Sequence, residues 1–109
     1  MLSFLRKILG QPAAASNMAD LRQQDAVMID VRTPGEFQSG HIKGSRNYPL
    51  DMLAGKMNEL KKIKQPIIVV CRSGMRSSLA HKQLRNAGLE AYNGGAWTQI
   101  QQQIQANSR

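Results

Sequence analysis

The sequence predicts an α/β fold: an open parallel sheet of four or five strands with helices on both faces. Two short apolar runs, residues 26–31 and 67–70, lack polar alternation, which is typical of strands covered on both faces. Helical patterns separate the strand candidates, as the crossover connections of a parallel sheet require. A chain of 109 residues is long enough for one hydrophobic core and too short for a second domain of ordinary size.

Composition narrows the classes of function. The net charge of +8 at pH 7 raises the local concentration of small anions. A nucleic-acid reader should add an aromatic stacking platform or a recognised module, and with one tryptophan, two tyrosines and two phenylalanines the chain has neither, so no nucleic-acid partner is expected. The single cysteine cannot form an internal disulfide, and a free thiol suits a cytoplasmic location.

We divide the chain into an N-terminal amphipathic segment with a linker, residues 1–16, and one domain, residues 17–109. Residues 1–10 place their leucines and isoleucine on one helical face. We expect this segment to fold back on the domain or to fray; a weak interfacial or partner-docking helix is the alternative. No run approaches the length of a membrane span, so no spanning segment is expected. A short helix should follow, capped by Ser16 or Asn17.

The first strand is predicted at residues 26–31 and is interrupted by a carboxylate, Asp30. Because a buried carboxylate needs a partner, we expect Asp30 to meet Arg32, His41 or an arginine of residues 71–76. Two interpretations stay open, namely a brace for that loop and a capping carboxylate at a strand end.

A short helix is predicted after this strand. Thr33 and Glu36 have the spacing of a reciprocal capping box, and Phe37 should anchor the turn in the core. A glycine-rich turn then leads to a short strand at residues 45–48. His41, within that turn, is interpreted as a hydrogen-bonded structural histidine rather than a base, since a thiolate stabilised by its own loop needs no proton acceptor.

The later elements follow from helical spacing and glycine positions. Asp51 should cap a helix that ends in the solvated lysine run of residues 61–64. The helix after residue 74 should face inward through Ala80, Leu84 and Ala87 and end at Gly88. A last strand at residues 89–93, a turn at Gly94 and Gly95, and a closing helix should complete the chain, with Trp97 in the core rather than in contact with substrate.

Residues 71–76, Cys-Arg-Ser-Gly-Met-Arg, join the second apolar run to a helix and form the candidate site. A loop that feeds a helix start presents unpaired N–H groups with the positive end of the helix dipole behind them. Together with Arg72 and Arg76, these groups should favour the thiolate of Cys71. The alternative is that Cys71 is a small apolar residue closing a strand, which leaves the two arginines unexplained.

Two motifs resemble the rhodanese-like sulfurtransferases. One is the Cys-to-Arg loop, and the other is Asp30-x-Arg32 followed by Glu-Phe and Gly-His-Ile-x-Gly at residues 36–37 and 40–44. The resemblance implies a rhodanese-like fold, a catalytic Cys71, and structural support from Asp30 and Arg32. It also implies that the rest of the loop binds substrate, namely Arg72, Ser73, Gly74, Met75 and Arg76. The chain departs from the family in lacking a β-rich run before the first helix and in the spacing from the glycine pair to Trp97.

For the reaction we expect the Cys71 thiolate to take the outer sulfur of a donor such as thiosulfate as a persulfide and to pass it to a thiophilic acceptor. The N–H groups of residues 73–76 should stabilise the persulfide. The partners would be a small anionic sulfur donor and a thiol or protein acceptor. No cofactor is expected, and no metal, because one cysteine and two histidines form no ligand cluster.

Two other functions remain open from the sequence. One is a persulfide carrier or docking module that turns over thiosulfate poorly. The other is a cysteine-dependent phosphatase or arsenate reductase, whose loops resemble this one but have five residues between cysteine and arginine. Cys71 and Arg76 have four between them, which should crowd three phosphoryl oxygens.

Overall fold

The computed structural model of the protein describes residues 14–107. Their elements in chain order are α1 (Ala14–Gln23), β1 (Val27–Asp30), α2 (Pro34–Gln38), β2 (Arg46–Asn47), a 3₁₀ helix (Leu50–Lys56) leading into α3 (Met57–Leu60), β3 (Ile67–Cys71), α4 (Met75–Asn86), β4 (Ala91–Ala96) and α5 (Trp97–Asn107). The amphipathic segment predicted at residues 1–10 lies outside the described residues. Because α1 already begins at Ala14, Ser16 and Asn17 lie inside its first turn, and the predicted cap there is wrong.

The four strands in this part of the chain form one parallel sheet in the order β2-β1-β3-β4. This confirms the predicted open α/β architecture. The central strand β3 lies between β1 and β4, and all five of its residues are buried. The carboxyl ends of parallel strands lie at one edge of a sheet, which is where ligands bind in folds of this kind. Cys71 is the last residue of β3 and therefore stands at that edge.

Side chains of β3 alternate between two hydrophobic cores, one on each face of the sheet. Ile67, Val69 and Cys71 belong to a core with the buried residues of α4 and of the 3₁₀ helix and α3. Ile68 and Val70 face the other core, which α1 and α5 cover. An unbroken apolar strand is stable only when both faces are covered, so this arrangement explains the run that predicted it.

Gly94 and Gly95 lie within β4, so the turn predicted at this pair is wrong. A Cβ atom at position 94 would lie 2.7 Å from Ile68 Cγ2, so the glycine is required by close packing of β4 on β3. The ladder is irregular here: Val69 pairs with Asn93 and Val70 with Gly95, which leaves Gly94 as a bulge. Two adjacent glycines usually mark a turn, and the sequence alone does not distinguish that case from a bulge.

Two further predictions about the shorter elements are wrong. Pro49, not Asp51, stands at the N-cap of a 3₁₀ helix, and no side-chain hydrogen bond caps that helix. Phe37 is half-buried and stacks on His41, with ring centroids 3.7 Å apart, instead of entering either core. The five-residue helix α2 buries none of its side chains, so it gives Phe37 no route into the core.

Other predicted helix boundaries are confirmed. Thr33 and Glu36 form the reciprocal capping box of α2. Gly88 follows α4 with φ +90, a left-handed conformation that favours glycine. Ala80 and Leu84 of α4 are fully buried, whereas Ala87 is only partly buried.

Candidate active site

The loop after β3 turns tightly around the sulfur of Cys71. Residues 72–74 connect β3 to α4, and Gly74 stands at the helix start with φ +101. Residues that carry a side chain rarely adopt this backbone conformation. A Cβ atom at Gly74 would lie 3.5 Å from the Cα of Gly95, an ordinary contact distance, so the backbone angle and not crowding requires the glycine. The turn brings the first N–H groups of the helix around the buried thiol.

The surroundings of Cys71 favour its ionised form. The Gly74 N–H donates to Sγ at 2.9 Å, and Ser77 Oγ lies 3.4 Å from Sγ. Burial acts to raise the pKa of Cys71, but the hydrogen bonds available to the ionised sulfur, from the Ser77 side chain and from the backbone of Ser77, Gly74 and Ser73, outweigh it, so the pKa lies below its ordinary value. The predicted preference for the thiolate therefore rests mainly on hydrogen bonds and less on the two arginines.

Ser77 and Asn93 extend the site beyond the predicted residues. Ser77 is fully buried and its hydroxyl donates to Asn93 Oδ1 at 2.6 Å. Asn93, on β4, also accepts from the Gly95 N–H at 2.9 Å and donates through Nδ2 to the Gly74 carbonyl at 3.3 Å. Sequence reasoning missed both residues. The available signal was a polar Asn93 beside a glycine pair in a strand adjacent to the one that carries the cysteine.

Arg76 is engaged by a carboxylate from α2. Its two terminal nitrogens donate to the two oxygens of Glu36, at 2.7 and 3.0 Å. Arg76 and the Thr33 N–H hold the pKa of Glu36 down, from 4.5 to about 2. Glu36 was predicted only as a helix cap. It performs that role as well, but its partner lies 40 positions away in the chain, where local patterns carry no information.

The other predicted substrate-binding residues form the rim of the loop. Arg72 and Ser73 are exposed, and Met75 is 77% exposed. Arg72 forms no hydrogen bond or ion pair with the described residues. The loop therefore presents one cation held by a carboxylate and one that faces solvent.

Comparison with known proteins gives the chain a family. A family model for the rhodanese-like domain matches residues 13–102. The chain belongs to the rhodanese-like domain family. This confirms the resemblance drawn from the two motifs.

Proteins similar to this rhodanese-like domain include a sulfurtransferase and an uncharacterized protein. The chain is 40% identical to the thiosulfate sulfurtransferase GlpE of Pseudoalteromonas translucida over 76 residues, which cover 70% of this chain and 71% of that protein. It is 45% identical over 69 residues to the uncharacterized protein YqhL of Bacillus subtilis, covering 62% of this chain. The chain spans about half of YqhL, whose matched part is 54% of its length.

Solved structures share the rhodanese-like fold. A rhodanese-related protein from Thermoplasma volcanium aligns over 84% of this chain and 88% of its own, with a TM-score of 0.66 and 27% identity. A rhodanese with anions from E. coli aligns over 67% of this chain and 88% of its own, with a TM-score of 0.62 and 28% identity.

Asp30 and Arg32, for which the resemblance implied structural support, form a buried ion pair. Of the three partners considered for Asp30, the structure selects Arg32, whose Nε and Nη2 approach the carboxylate at 2.7 to 3.0 Å. Arg32 also donates to the Gly40 carbonyl at 2.7 Å and lies 4.6 Å from the ring centre of Trp97. The pair thus fastens the end of β1 to the turn at Gly40 and to α5, one strand away from Cys71.

Each histidine of this rhodanese-like domain has its Nδ1 within hydrogen-bond distance of a backbone carbonyl. His41 is exposed, and its Nδ1 is 2.7 Å from the Phe37 carbonyl. His81 Nδ1 is 2.8 Å from the Ser78 carbonyl.

Within residues 14–107 no three histidine, cysteine, aspartate or glutamate side chains are grouped so as to hold a metal ion. Within the same residues, no helix has both the length and the apolar character needed to cross a membrane.

Proposed function

We propose that this rhodanese-like domain is a sulfurtransferase that moves a sulfane sulfur from thiosulfate or a related donor to a thiophilic acceptor through a persulfide on Cys71. The observation that carries the proposal is the sulfur itself. It lies at the carboxyl end of the central strand and accepts a hydrogen bond of 2.9 Å from the Gly74 N–H. The pKa of Cys71 is lowered despite its burial. The similarity to a protein named as a thiosulfate sulfurtransferase supports the same reaction class.

In the first step the Cys71 thiolate attacks the outer sulfur of thiosulfate. An S–S bond forms to Cys71, the S–S bond of thiosulfate breaks, and its electron pair leaves with sulfite. The persulfide keeps one negative charge, so the charges balance. The backbone of Ser73, Gly74 and Ser77, which lowers the pKa of Cys71, would stabilise this charge in the manner of an oxyanion hole.

In the second step a nucleophile such as cyanide or a thiolate attacks the outer sulfur of the persulfide. The new bond forms to that sulfur, the S–S bond to Cys71 breaks, and the electron pair returns to Cys71 as the thiolate. Splitting one transfer into two displacements through a covalent intermediate is nucleophilic catalysis. Neither step consumes a cofactor.

Arg72 and Arg76 contribute to donor binding in different ways. The terminal nitrogens of Arg76 donate to Glu36, which fixes the orientation of the Arg76 side chain. Arg76 therefore contributes positive charge to the loop of residues 71–76. Arg72 is exposed and has no partner among the described residues, so it is the cation free to contact an incoming anion. Ser73, Gly74 and Met75 complete the binding loop between them, with Asp30 and Arg32 as structural support one strand away.

A steady-state assay tests the enzyme proposal. With thiosulfate as donor and cyanide as acceptor, the protein should form thiocyanate and sulfite in equal amounts, and Cys71→Ser should abolish both products. The control is Ser78→Ala, a change at the serine that follows Ser77 on α4, and it should keep full activity. Turnover by Cys71→Ser would overturn the assignment of the nucleophile.

A persulfide carrier is the second candidate, and the exposed apolar residues at the site favour it. Met75 and Leu79 are 77% and 54% exposed, although both are large and apolar. They are four residues apart on α4 and therefore lie on one helical face. A protein acceptor would cover such a face. A carrier would form the persulfide in one turnover and show little steady-state release of sulfite with cyanide.

Phosphatase or arsenate reductase activity is the remaining alternative and has less support. Four residues separate Cys71 from Arg76, one fewer than in cysteine-dependent phosphatases, and the guanidinium that would hold a phosphoryl group is bound to Glu36. We expect no useful hydrolysis of an aryl phosphate by a preparation that transfers sulfur readily. Faster hydrolysis through Cys71 than sulfur transfer would reverse this preference.

A further inference from the structure

The hydroxyl of Ser77 has one proton and two neighbours that can accept it. It donates this proton to Asn93 Oδ1 at 2.6 Å, and Cys71 Sγ lies 3.4 Å away on its other side. Since a hydroxyl donates only once, the sulfur in this arrangement must itself donate to Ser77, which requires the protonated thiol. When Cys71 ionises, its sulfur has no proton to give, and the Ser77 hydroxyl must turn towards it to keep a hydrogen bond.

Asn93 can lose the hydrogen bond from Ser77 and still have a hydrogen-bond donor at its Oδ1. Its Oδ1 accepts a second hydrogen bond, from the Gly95 N–H at 2.9 Å, and the orientation of its amide is fixed because that N–H can only donate. Its Nδ2 donates to the Gly74 carbonyl at 3.3 Å. If Ser77 turns away, Oδ1 therefore keeps one donor, and the buried polar group avoids the large penalty of losing all of its partners.

We propose that Asn93 is a positioning residue that competes with Cys71 for the single hydroxyl proton of Ser77 and thereby sets how readily the sulfur ionises. It acts through Ser77 and does not touch the reacting atoms. The inference rests on the proposed role of Cys71 as the nucleophile. It extends that proposal to β4, a strand outside both family motifs.

Other charges face the same sulfur and must be separated from this effect. Arg76 on α4 interacts electrostatically with Cys71 and with Asp30 of β1, and it carries its partner Glu36 from α2. Arg72 adjoins the cysteine in the loop. None of these groups changes when Ser77 or Asn93 is substituted. A double-mutant cycle over Ser77 and Asn93 cancels their contributions and leaves the coupling between the two residues.

The experiment measures the pKa of the Cys71 thiol in the intact protein. Thiolate absorbance at 240 nm is followed against pH, with Cys71→Ser as the blank that removes the tyrosine signal; the chain has one cysteine, so the difference reports Cys71 alone. Asn93→Asp and Asn93→Ala are each measured with Ser77 present and in the Ser77→Ala background. No sulfur donor is needed, so the result is independent of whether the protein transfers sulfur.

Competition predicts couplings of opposite sign. The carboxylate of Asn93→Asp should hold the Ser77 proton more strongly, so this change should raise the Cys71 pKa more when Ser77 is present, by up to about tenfold in the ionisation constant. Asn93→Ala removes the competing acceptor. With Ser77 present, it should therefore lower the Cys71 pKa relative to its effect in the Ser77→Ala background. Couplings of zero or of the same sign would overturn the proposal. If Asn93→Ala does not fold, the near-isosteric Asn93→Asp decides alone, because a coupling that is not positive contradicts competition.

Discussion

The ion pair between Glu36 and Arg76 leads to a prediction about acid stability. Glu36→Gln keeps the capping box of α2, since glutamine also serves at that position, but removes the charge that faces Arg76. Two charge-assisted hydrogen bonds hold this pair, and both side chains are about one-third exposed, 30% and 34%. Solvent screening limits such a pair to about 1 kcal/mol, which corresponds to a fall of about 4 °C in Tm for a domain of this length.

The difference should depend on pH in a defined direction. Because the pKa of Glu36 is lowered from 4.5 to about 2 in the folded protein, the pair stabilises fully above pH 4.5 and loses its effect as the pH falls towards 2. Thermal unfolding of the wild type and Glu36→Gln should therefore differ at pH 7 and converge near pH 2. Asp51→Asn, an exposed carboxylate of equal charge, is the control and should change Tm little at either pH. A Tm difference of the same size at both pH values would refute the role of the charge.

Three further predictions concern packing, charge and burial. Gly94→Ala should destabilise the folded protein by about 1–3 kcal/mol in urea unfolding, because its Cβ would lie 2.7 Å from Ile68 Cγ2. Gly35→Ala, with open space around it, is the control and should be neutral or stabilising. Equal effects of the two changes would contradict the close approach of β4 to β3. Arg76→Ala should slow sulfur transfer from thiosulfate more than Lys62→Ala, whose field is screened over about 10 Å, and equal rates would assign the effect to net charge. Asp30→Asn should destabilise by about 3 kcal/mol or more, since it leaves a buried arginine without its carboxylate; a loss under about 1 kcal/mol in the same unfolding assay would argue against the ion pair.

Local patterns predicted the central part of the fold well. The run at residues 67–70 is unbroken because both faces of β3 are buried, and hydrophobic burial is a property that a sequence displays directly. The capping box at Thr33 and Glu36 and the left-handed Gly88 are likewise short-range features. One error occurs where a residue type serves two purposes. Gly94 suggested a turn but accommodates a neighbouring strand, a requirement set by Ile68 and not by adjacent residues.

The candidate site shows the same division. The position of Cys71 at the end of a strand and the glycine at the helix start could be predicted, because both follow from the strand-loop-helix pattern. The pairing of Arg76 with Glu36 and the hydrogen bond of Ser77 to Asn93 could not, because they join segments that only the tertiary fold brings together. The structure therefore assigns much of the electrostatics of the loop to partners that lie outside it.

The intact mass of the protein after incubation with thiosulfate tests the central proposal most directly. We expect an added mass of one sulfur atom, which cyanide or a thiol removes and which Cys71→Ser does not acquire. Retention of the same adduct by Cys71→Ser, or the absence of any adduct on the folded wild-type protein, would contradict a persulfide on Cys71.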